Sequence, residues 1–285
     1  MSDFKKKKWS IGRILTGIVV ALCLFWAVFP FYWALTTSLR MPAETFTVAG
    51  LAIPFLQFTP TLENWAAELK VPENLRAIKN STLIAFFSAI FATALGTMAG
   101  YGLARFKFHK IKNPDLTIWF LSQRVLPPVV VAIPFFLLAH QFHALDKVST
   151  LIVLNTTFNL PFAVIIMSQL FKELPIELEQ AALVDGYSRI GAFFKVALPL
   201  STPGLVATGI ICLAFAWNEF MFALILAQKN AITLPYIISG ASDTRGIQFW
   251  FIATRALMAM VPPTILALTV QRFIVRGLTF GAVKG

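Results

Sequence analysis

Six stretches of this chain run for about twenty residues with almost no charge: 14–35, 81–103, 116–138, 149–171, 204–227 and 249–271. A bilayer core of ~30 Å takes about 20 residues of helix, so each run is long enough to cross it. No water reaches backbone N–H and C=O groups inside lipid, and a helix satisfies them within itself. The runs therefore predict an all-α, polytopic membrane protein with six transmembrane helices. Composition is consistent, with 58% hydrophobic residues, 13% charged, 28 Phe and 7 Trp, where soluble domains hold roughly 25% charged residues. A soluble enzyme, a disordered chain, a coiled coil and a disulfide scaffold are excluded. The first run is too long for the apolar core of a signal peptide and lacks a small-residue cleavage site, so it reads as a retained helix. Arg124 and Arg255 interrupt the third and sixth runs.

Lys and Arg number 24 against 13 Asp and Glu, a net charge of +11. In a membrane protein this excess reads as the positive-inside bias of cytoplasmic loops, not as affinity for nucleic acid. The basic residues concentrate in the N-terminus (Lys5, Lys6, Lys7, Lys8, Arg13), the 104–115 loop, the 172–203 loop and the C-terminus. That side is predicted to be the cytoplasm, with both termini in it. The organisation expected is a basic N-terminus over 1–13, with attraction to anionic membrane lipid, a six-helix domain over 14–277 and a cytoplasmic tail over 278–285. Residues 36–80 form the largest extracytoplasmic segment. Gly96 and Gly100 make a GxxxG suited to close helix contact. Prolines recur within the spans, as kinks that neighbours or a cavity must re-satisfy. Cys23 and Cys212 read as small buried fillers.

The 172–203 loop departs from ordinary loop chemistry. It reads KELPIELEQAALVDGYSRIGAFFKVALPLSTP. Pro175 suits the first position of a helix whose apolar face is Ile176, Leu178, Ala181, Ala182 and Val184. Asp185-Gly186 stops that helix, because Gly accepts left-handed dihedrals. A second amphipathic stretch runs from Tyr187 to Ala197, and Leu198-Pro199 ends it. The expected product is a helix–turn–helix at the cytoplasmic face. Glu173, Glu177, Glu179 and Asp185 weigh against an anionic lipid surface as its resting place and favour a protein partner.

This segment resembles the EAA loop of inner-membrane permease subunits of binding-protein-dependent ABC importers: two alanines, then DG, then a distant LP. Other pieces are similar to the carbohydrate-importing, maltose-type branch of that family: PFYWALTTSLR, GLARFKF, LPPVVVAIPFF, FAWNEFMFALIL and the terminal VRGLTFGAVKG. The resemblance implies a permease working by alternating access beside a second permease subunit. It also implies a periplasmic solute-binding protein and two cytoplasmic ATPases that carry ATP and Mg, so this chain itself binds no cofactor. It further implies ATPase coupling through Glu179, Gln180, Ala181, Ala182, Asp185, Gly186, Leu198 and Pro199. The tail residues Phe280, Gly281 and Val283 would lie against the ATPase. Gln180 stands where the family commonly has Glu, which removes a charge, and Tyr187 replaces a small residue after DG. No GxxxxGK[ST] phosphate loop occurs, so if transport is ATP-driven another chain must supply the ATPase.

Ionisable groups inside spans by default mark cavities or partners. Asn218, Glu219 and Arg255 are candidates for the pathway or gate. Glu219 and Arg255 each fall roughly 10 Å below the outer surface at 1.5 Å per residue, which allows a pair between them. Arg124 is read as snorkelling to the nearer interface. His140 and His143 lack companions for a metal site, and no catalytic motif appears. The resulting expectation is an importer permease for a sugar or sugar-like solute at the bacterial inner membrane. The competing readings are a permease of the same mechanism for another solute, a pore conducting alone, and an integral-membrane enzyme acting on lipid-linked substrates.

Overall fold

The computed structural model describes residues 11–48, 50–240, 242–243 and 246–279. In chain order the helices are α1 (Ile11–Ser38), α2 (Pro42–Thr47), α3 (Glu63–Lys70), α4 (Pro72–Arg105), α5 (Asn113–Val125), α6 (Pro128–Gln141) and α7 (Val148–Glu173). Then follow α8 (Ile176–Val184), α9 (Arg189–Ala192), a π-turn (Phe193–Ala197), α10 (Leu198–Leu200), α11 (Thr202–Trp217), α12 (Met221–Leu226) and α13 (Leu234–Ser239). A two-rung antiparallel ladder, β1 (Ser242–Asp243) with β2 (Gly246–Ile247), precedes α14 (Phe249–Thr279). Among the described residues α1, α4, α7 and α14 are each long and apolar enough to cross a membrane, and two bent helix pairs bring the number to as many as six.

Two of the expected spans are broken rather than straight. The run 116–138 becomes α5 and α6, which meet at 89°. Pro127 confines Leu126 to extended backbone (φ −68°, ψ 116°), and a helix cannot continue through it. The run 204–227 becomes α11 and α12, parted at Asn218–Phe220.

Backbone contacts gather into two units, residues 1–70 with 241–258 and residues 71–240 with 259–285. In the first, the end of α1 is finished by side chains. The Asn64 amide donates to the carbonyls of Ser38 (2.9 Å) and Arg40 (2.7 Å). Arg40 is buried, donates to Thr37 Oγ1 at 2.6 Å and lies over the rings of Trp33 and Phe58. Its charge is thus spent on local acceptors and π-faces. Cys23, on α1, is exposed, so it fills no core; Cys212, on α11, is buried.

The second unit is built on α4 and α7. The buried face of α4 carries mostly small residues, among them Ala85, Ala89, Ala92, Gly96 and Gly100. The expected glycine contact is present: a Cβ on Gly96 would overlap Ala163. One on Gly100 would stand 2.7 Å from the Ser168 backbone nitrogen and 2.9 Å from Met167 Cβ. Backbones that approach this closely leave no room for a side chain. α11 packs on the same pair through Cys212, Ala89, Ala92 and Ala163.

Beside the N-terminal end of α4 a loop over 228–233 is held from two sides. Asn80 donates to the carbonyls of Asn230 (2.7 Å) and Ile232 (2.9 Å), and Arg76 to that of Lys229. Asp146, at φ +56°, accepts backbone N–H groups from Gln228, Lys229, Asn230 and Ala231 at 2.9–3.1 Å. Burial works against its charge, but these four donors outweigh burial and hold the carboxyl down at about 2.

Candidate functional site

The loop between α7 and α11 folds as two short helices, as the sequence predicts, with a different face turned out. Leu174, preceding Pro175, is extended and ends α7. Pro175 is the N-cap of α8 rather than its first residue, and Glu177 and Glu179 occupy the first turn, where the helix dipole favours acid.

The far end of α8 closes as a Schellman turn. Gly186 has φ +88°, its N–H donates to Leu183 (3.1 Å), and the Tyr187 N–H reaches back to Ala182 (3.0 Å). A Cβ on Gly186 would meet nothing within 4 Å, so the need for glycine there is purely conformational. Ser188 then caps α9 by accepting the Gly191 N–H.

The helix does not stop at Leu198-Pro199. It continues through the π-turn to Leu200 and bends by 75° into α11. The wider π-turn immediately before accommodates Pro199, whose ring in a regular helix clashes with the carbonyl four residues back. Leu198 is half-buried and Pro199 exposed.

The main correction concerns which face of α8 is buried. Of the predicted apolar face only Ala182 is covered, while Ile176, Leu178, Ala181 and Val184 are exposed. Glu179 is buried instead. Its Oε1 lies 2.7 Å from Arg105 Nε, and its Oε2 accepts the Tyr101 hydroxyl at 2.6 Å. Arg105 donates a further bond to the Leu174 carbonyl at 3.0 Å. The acid goes inward because a cation and a hydroxyl from the last turn of α4 await it. Glu179 is therefore an internal tie, not a group presented to a partner. Gln180, Asp185 and Gly186 are exposed at the turn.

With Glu179 inside, apolar side chains stand exposed at the crest of the loop, beside the exposed Asp185 and Arg189. Val184 is 87% exposed and Ile190 71%, with Leu183, Tyr187 and Phe194 also open. Its base is firm: the Tyr101 ring lies 4.6 Å from Phe193 and 5.2 Å from Phe171. A rigidly held, unpartnered apolar crest suits a protein surface.

The membrane charges also differ from expectation. Arg255 pairs with Glu68 of α3, at 2.5 Å, rather than with Glu219. Glu219 caps α12, accepting the Phe222 N–H at 2.7 Å, and Asn218 is exposed beside it at the break. Backbone groups freed by a broken helix need such caps in lipid. The Arg124 guanidinium lies over the rings of Phe215 (4.4 Å) and Phe162 (5.3 Å), where π-faces offset part of its charge. Phe280, Gly281 and Val283 lie outside the described residues, as does the lysine run at 5–8.

An apolar cavity of about 680 Å³ lies along α4 and α11, with Ile90, Met98, Phe194, Leu213 and Leu266 in its wall. Thr93 and Thr97 are its few polar neighbours, and the Thr97 hydroxyl is already given to the Thr93 carbonyl. Such a wall suits a helix or acyl chains and offers little to a polyhydroxylated solute.

Sequence reasoning passed over Tyr101, Arg105, Glu68 and Asp146. The first two carried a signal: a phenol and a guanidinium four residues apart share one helix face and call for an acidic partner. Asp146 carried none, since its donors lie more than eighty residues away.

A family model described as "Binding-protein-dependent transport system inner membrane component" matches residues 92–280. The chain is 36% identical to the trehalose transport system permease protein SugB of Mycobacterium tuberculosis, covering 94% of this chain and 97% of that one. It is 31% identical to the sulfoquinovosyl glycerol transport system permease protein SmoH of Agrobacterium fabrum, over 96% of this chain and 95% of that one. The fold matches a chain of a bacterial ABC transporter importing the acidic polysaccharide alginate, with a TM-score of 0.73 at 17% identity, covering 93% of this chain and 98% of that one.

Proposed function

The chain belongs to the family of inner membrane components of binding-protein-dependent transport systems, and from that premise we propose that it passes a sugar-class solute from periplasm to cytoplasm by alternating access. A separate ATPase drives it through the 172–203 loop. The observation that carries this reading is the bare crest of Val184 and Ile190 standing on a buried, hydrogen-bonded base. ATP and Mg bind to the partner ATPases, each docking one permease loop, so two permease subunits share one pathway. Ala181, Ala182, Asp185 and Gly186 shape the dock, Gln180 offers it a neutral hydrogen bond, and Leu198 and Pro199 set the angle at which the loop rejoins α11. The break at Asn218 and Glu219 belongs to the pathway or gate, since interrupted helices in transporters gather there; Arg255, a further candidate for that role, is held by Glu68. Both termini lie in the cytoplasm, and Phe280, Gly281 and Val283 reach the ATPase dimer. The names of the trehalose and sulfoquinovosyl glycerol relatives support sugars and sugar derivatives as the solute class.

The test is reconstitution. Proteoliposomes holding this chain, a second permease and the ATPase, supplied with the binding protein, should take up labelled trehalose or sulfoquinovosyl glycerol only with ATP. This chain alone should take up neither. Uptake by the lone chain without ATP would sink the reading in favour of a self-sufficient pore.

A further inference from the structure

We propose that Tyr101, Arg105 and Glu179 are positioning residues that lock α8 to the inner end of α4, so that motion imposed on the 172–203 loop is delivered to α4 undiminished. The inference rests on the reading of that loop as the ATPase dock and names the residues through which the dock acts.

Three observations carry it. First, the ion pair is nearly sealed, with both side chains below 10% exposed. A buried charge pair is a poor way to gain stability, since apolar residues of similar volume do as well or better, but it is directional and tolerates little displacement. Second, each polar arm of the trio is used across an element boundary. Glu179 of α8 takes Arg105 and Tyr101 of α4, and Arg105 adds the Leu174 carbonyl just past α7. One guanidinium thus fixes the inner ends of three helices, in the fork geometry that arginine provides and lysine lacks. Third, α8 spends its covered face on this acid while leaving Ile176, Leu178 and Val184 outside. A loop that needed only to stay attached would bury those side chains. An inward carboxylate fixes orientation and leaves the apolar side chains for the partner.

The chain of contact continues beyond the trio. The Tyr101 ring packs against Phe193 of the π-turn and Phe171 of α7, and Arg189 of α9 lies over Phe106 at 5.6 Å. Toward the membrane, Gly100, one residue before Tyr101, rests on the α7 backbone. A displacement of α8 therefore meets no soft joint before it reaches the α4–α7 pair.

The test uses the full complex in nanodiscs: this chain with its second permease, ATPase and binding protein, Cys23 and Cys212 replaced. The variants are Glu179→Gln, Arg105→Lys and Tyr101→Phe. Spin labels at Glu177 and Lys79, both exposed, report the distance from α8 to the outer part of α4 in nucleotide-free and vanadate-trapped states. The unsubstituted complex should give one narrow distance, the same in both states. Glu179→Gln should keep the ATPase bound but broaden the distance on trapping, and the stimulation of ATP hydrolysis by binding protein should fall about tenfold. Arg105→Lys should lie between, and Tyr101→Phe should cost least. Unchanged stimulation with an unchanged narrow distance in Glu179→Gln would overturn the lock. If Glu179→Gln does not accumulate, Tyr101→Phe decides by the same two measurements, because it removes one hydroxyl at nearly constant volume. Failure of all three to accumulate would mark the trio as structural only and overturn the proposal as well. An unsubstituted complex that never retains the ATPase would instead strike the dock reading.

Discussion

The second unit holds one loop at each end of α4, and the two are made in opposite ways. At its N-terminal end the 228–233 loop is finished within the chain: Asp146 collects four backbone N–H groups, and Asn80 and Arg76 supply the carbonyls with donors. At its C-terminal end a comparable set of polar bonds, Glu179 with Arg105 and Tyr101, lies beneath the 172–203 loop, and Val184 and Ile190 stand exposed on the crest above. The first arrangement satisfies its own polar groups and asks for nothing more. The second fixes an orientation and stops there. The difference teaches where to look for a partner: a loop with a well-ordered base and an unsatisfied surface is an interface half, while a loop closed by hydrogen bonds on both sides is scaffold.

Because both loops hang from α4, loosening α4 should damage both at once. Gly100→Leu would drive a side chain into the α7 backbone, an overpacking that typically costs 1–3 kcal/mol and more where backbone must move. The expected outcome is the largest of the series: strongly reduced accumulation in membranes, read by quantitative immunoblot. Normal accumulation would show that the two loops do not depend on that contact.

Gly186→Val should separate the loops. A β-branched residue forced to φ +88° costs at least about 1–2 kcal/mol locally, while nothing near the 228–233 loop changes. Uptake and ATPase association should fall roughly tenfold, the factor that 1.4 kcal/mol gives, in a chain that still accumulates. Full uptake with full ATPase association would remove the 172–203 loop from the dock.

Asp146→Ala should do the reverse. Backbone N–H groups of 228–231 lose their common acceptor, at about 1–3 kcal/mol for polar groups left unmet. The unfolding temperature of the complex should drop by a few degrees with ATPase association unchanged. A loss of ATPase association instead would mean the two ends are not separable.

The mildest perturbation is acid. The Asp146 carboxyl is held at about 2 against an ordinary value of 3.8, so its contribution is complete above pH 3.8 and is lost as pH falls through about 2. Hydrogen exchange of the 228–231 amides should stay slow at pH 4 and, after correction for intrinsic rates, speed up near pH 2. Equal protection at both would show that Asp146 does not hold the loop.

Much of this was legible in the sequence. Apolar length located the four unbroken helices long enough to span, α1, α4, α7 and α14, because lipid leaves the backbone no alternative to helix, and the GxxxG of α4 marked a true backbone contact. Gly186 was legible too, since DG after a helical run leaves few other geometries. Less legible were choices made by partners far along the chain. Arg255 took Glu68 and not Glu219 because helical depth says nothing of which side a charge faces. The apolar face of α8 reads as its buried face by periodicity alone, and only the presence of Arg105 and Tyr101 across from Glu179 reverses it. The break at Leu126–Pro127 was half-visible through its prolines, whereas the one at Asn218–Phe220 has no proline and depends on a cap the sequence does not show.

The glycine notches of α4 also have a kinematic consequence. Two helices packed through ordinary side chains can slide by repacking rotamers. With Gly96 over Ala163 and Gly100 over Met167 and Ser168, a shift along the axis would bring a Cβ onto backbone atoms. Sliding and relative rotation about the helix axis are thereby removed from the freedoms of this pair. What remains is motion of α4 and α7 together, so any change in which side of the membrane the pathway faces has to occur at surfaces other than the one between them.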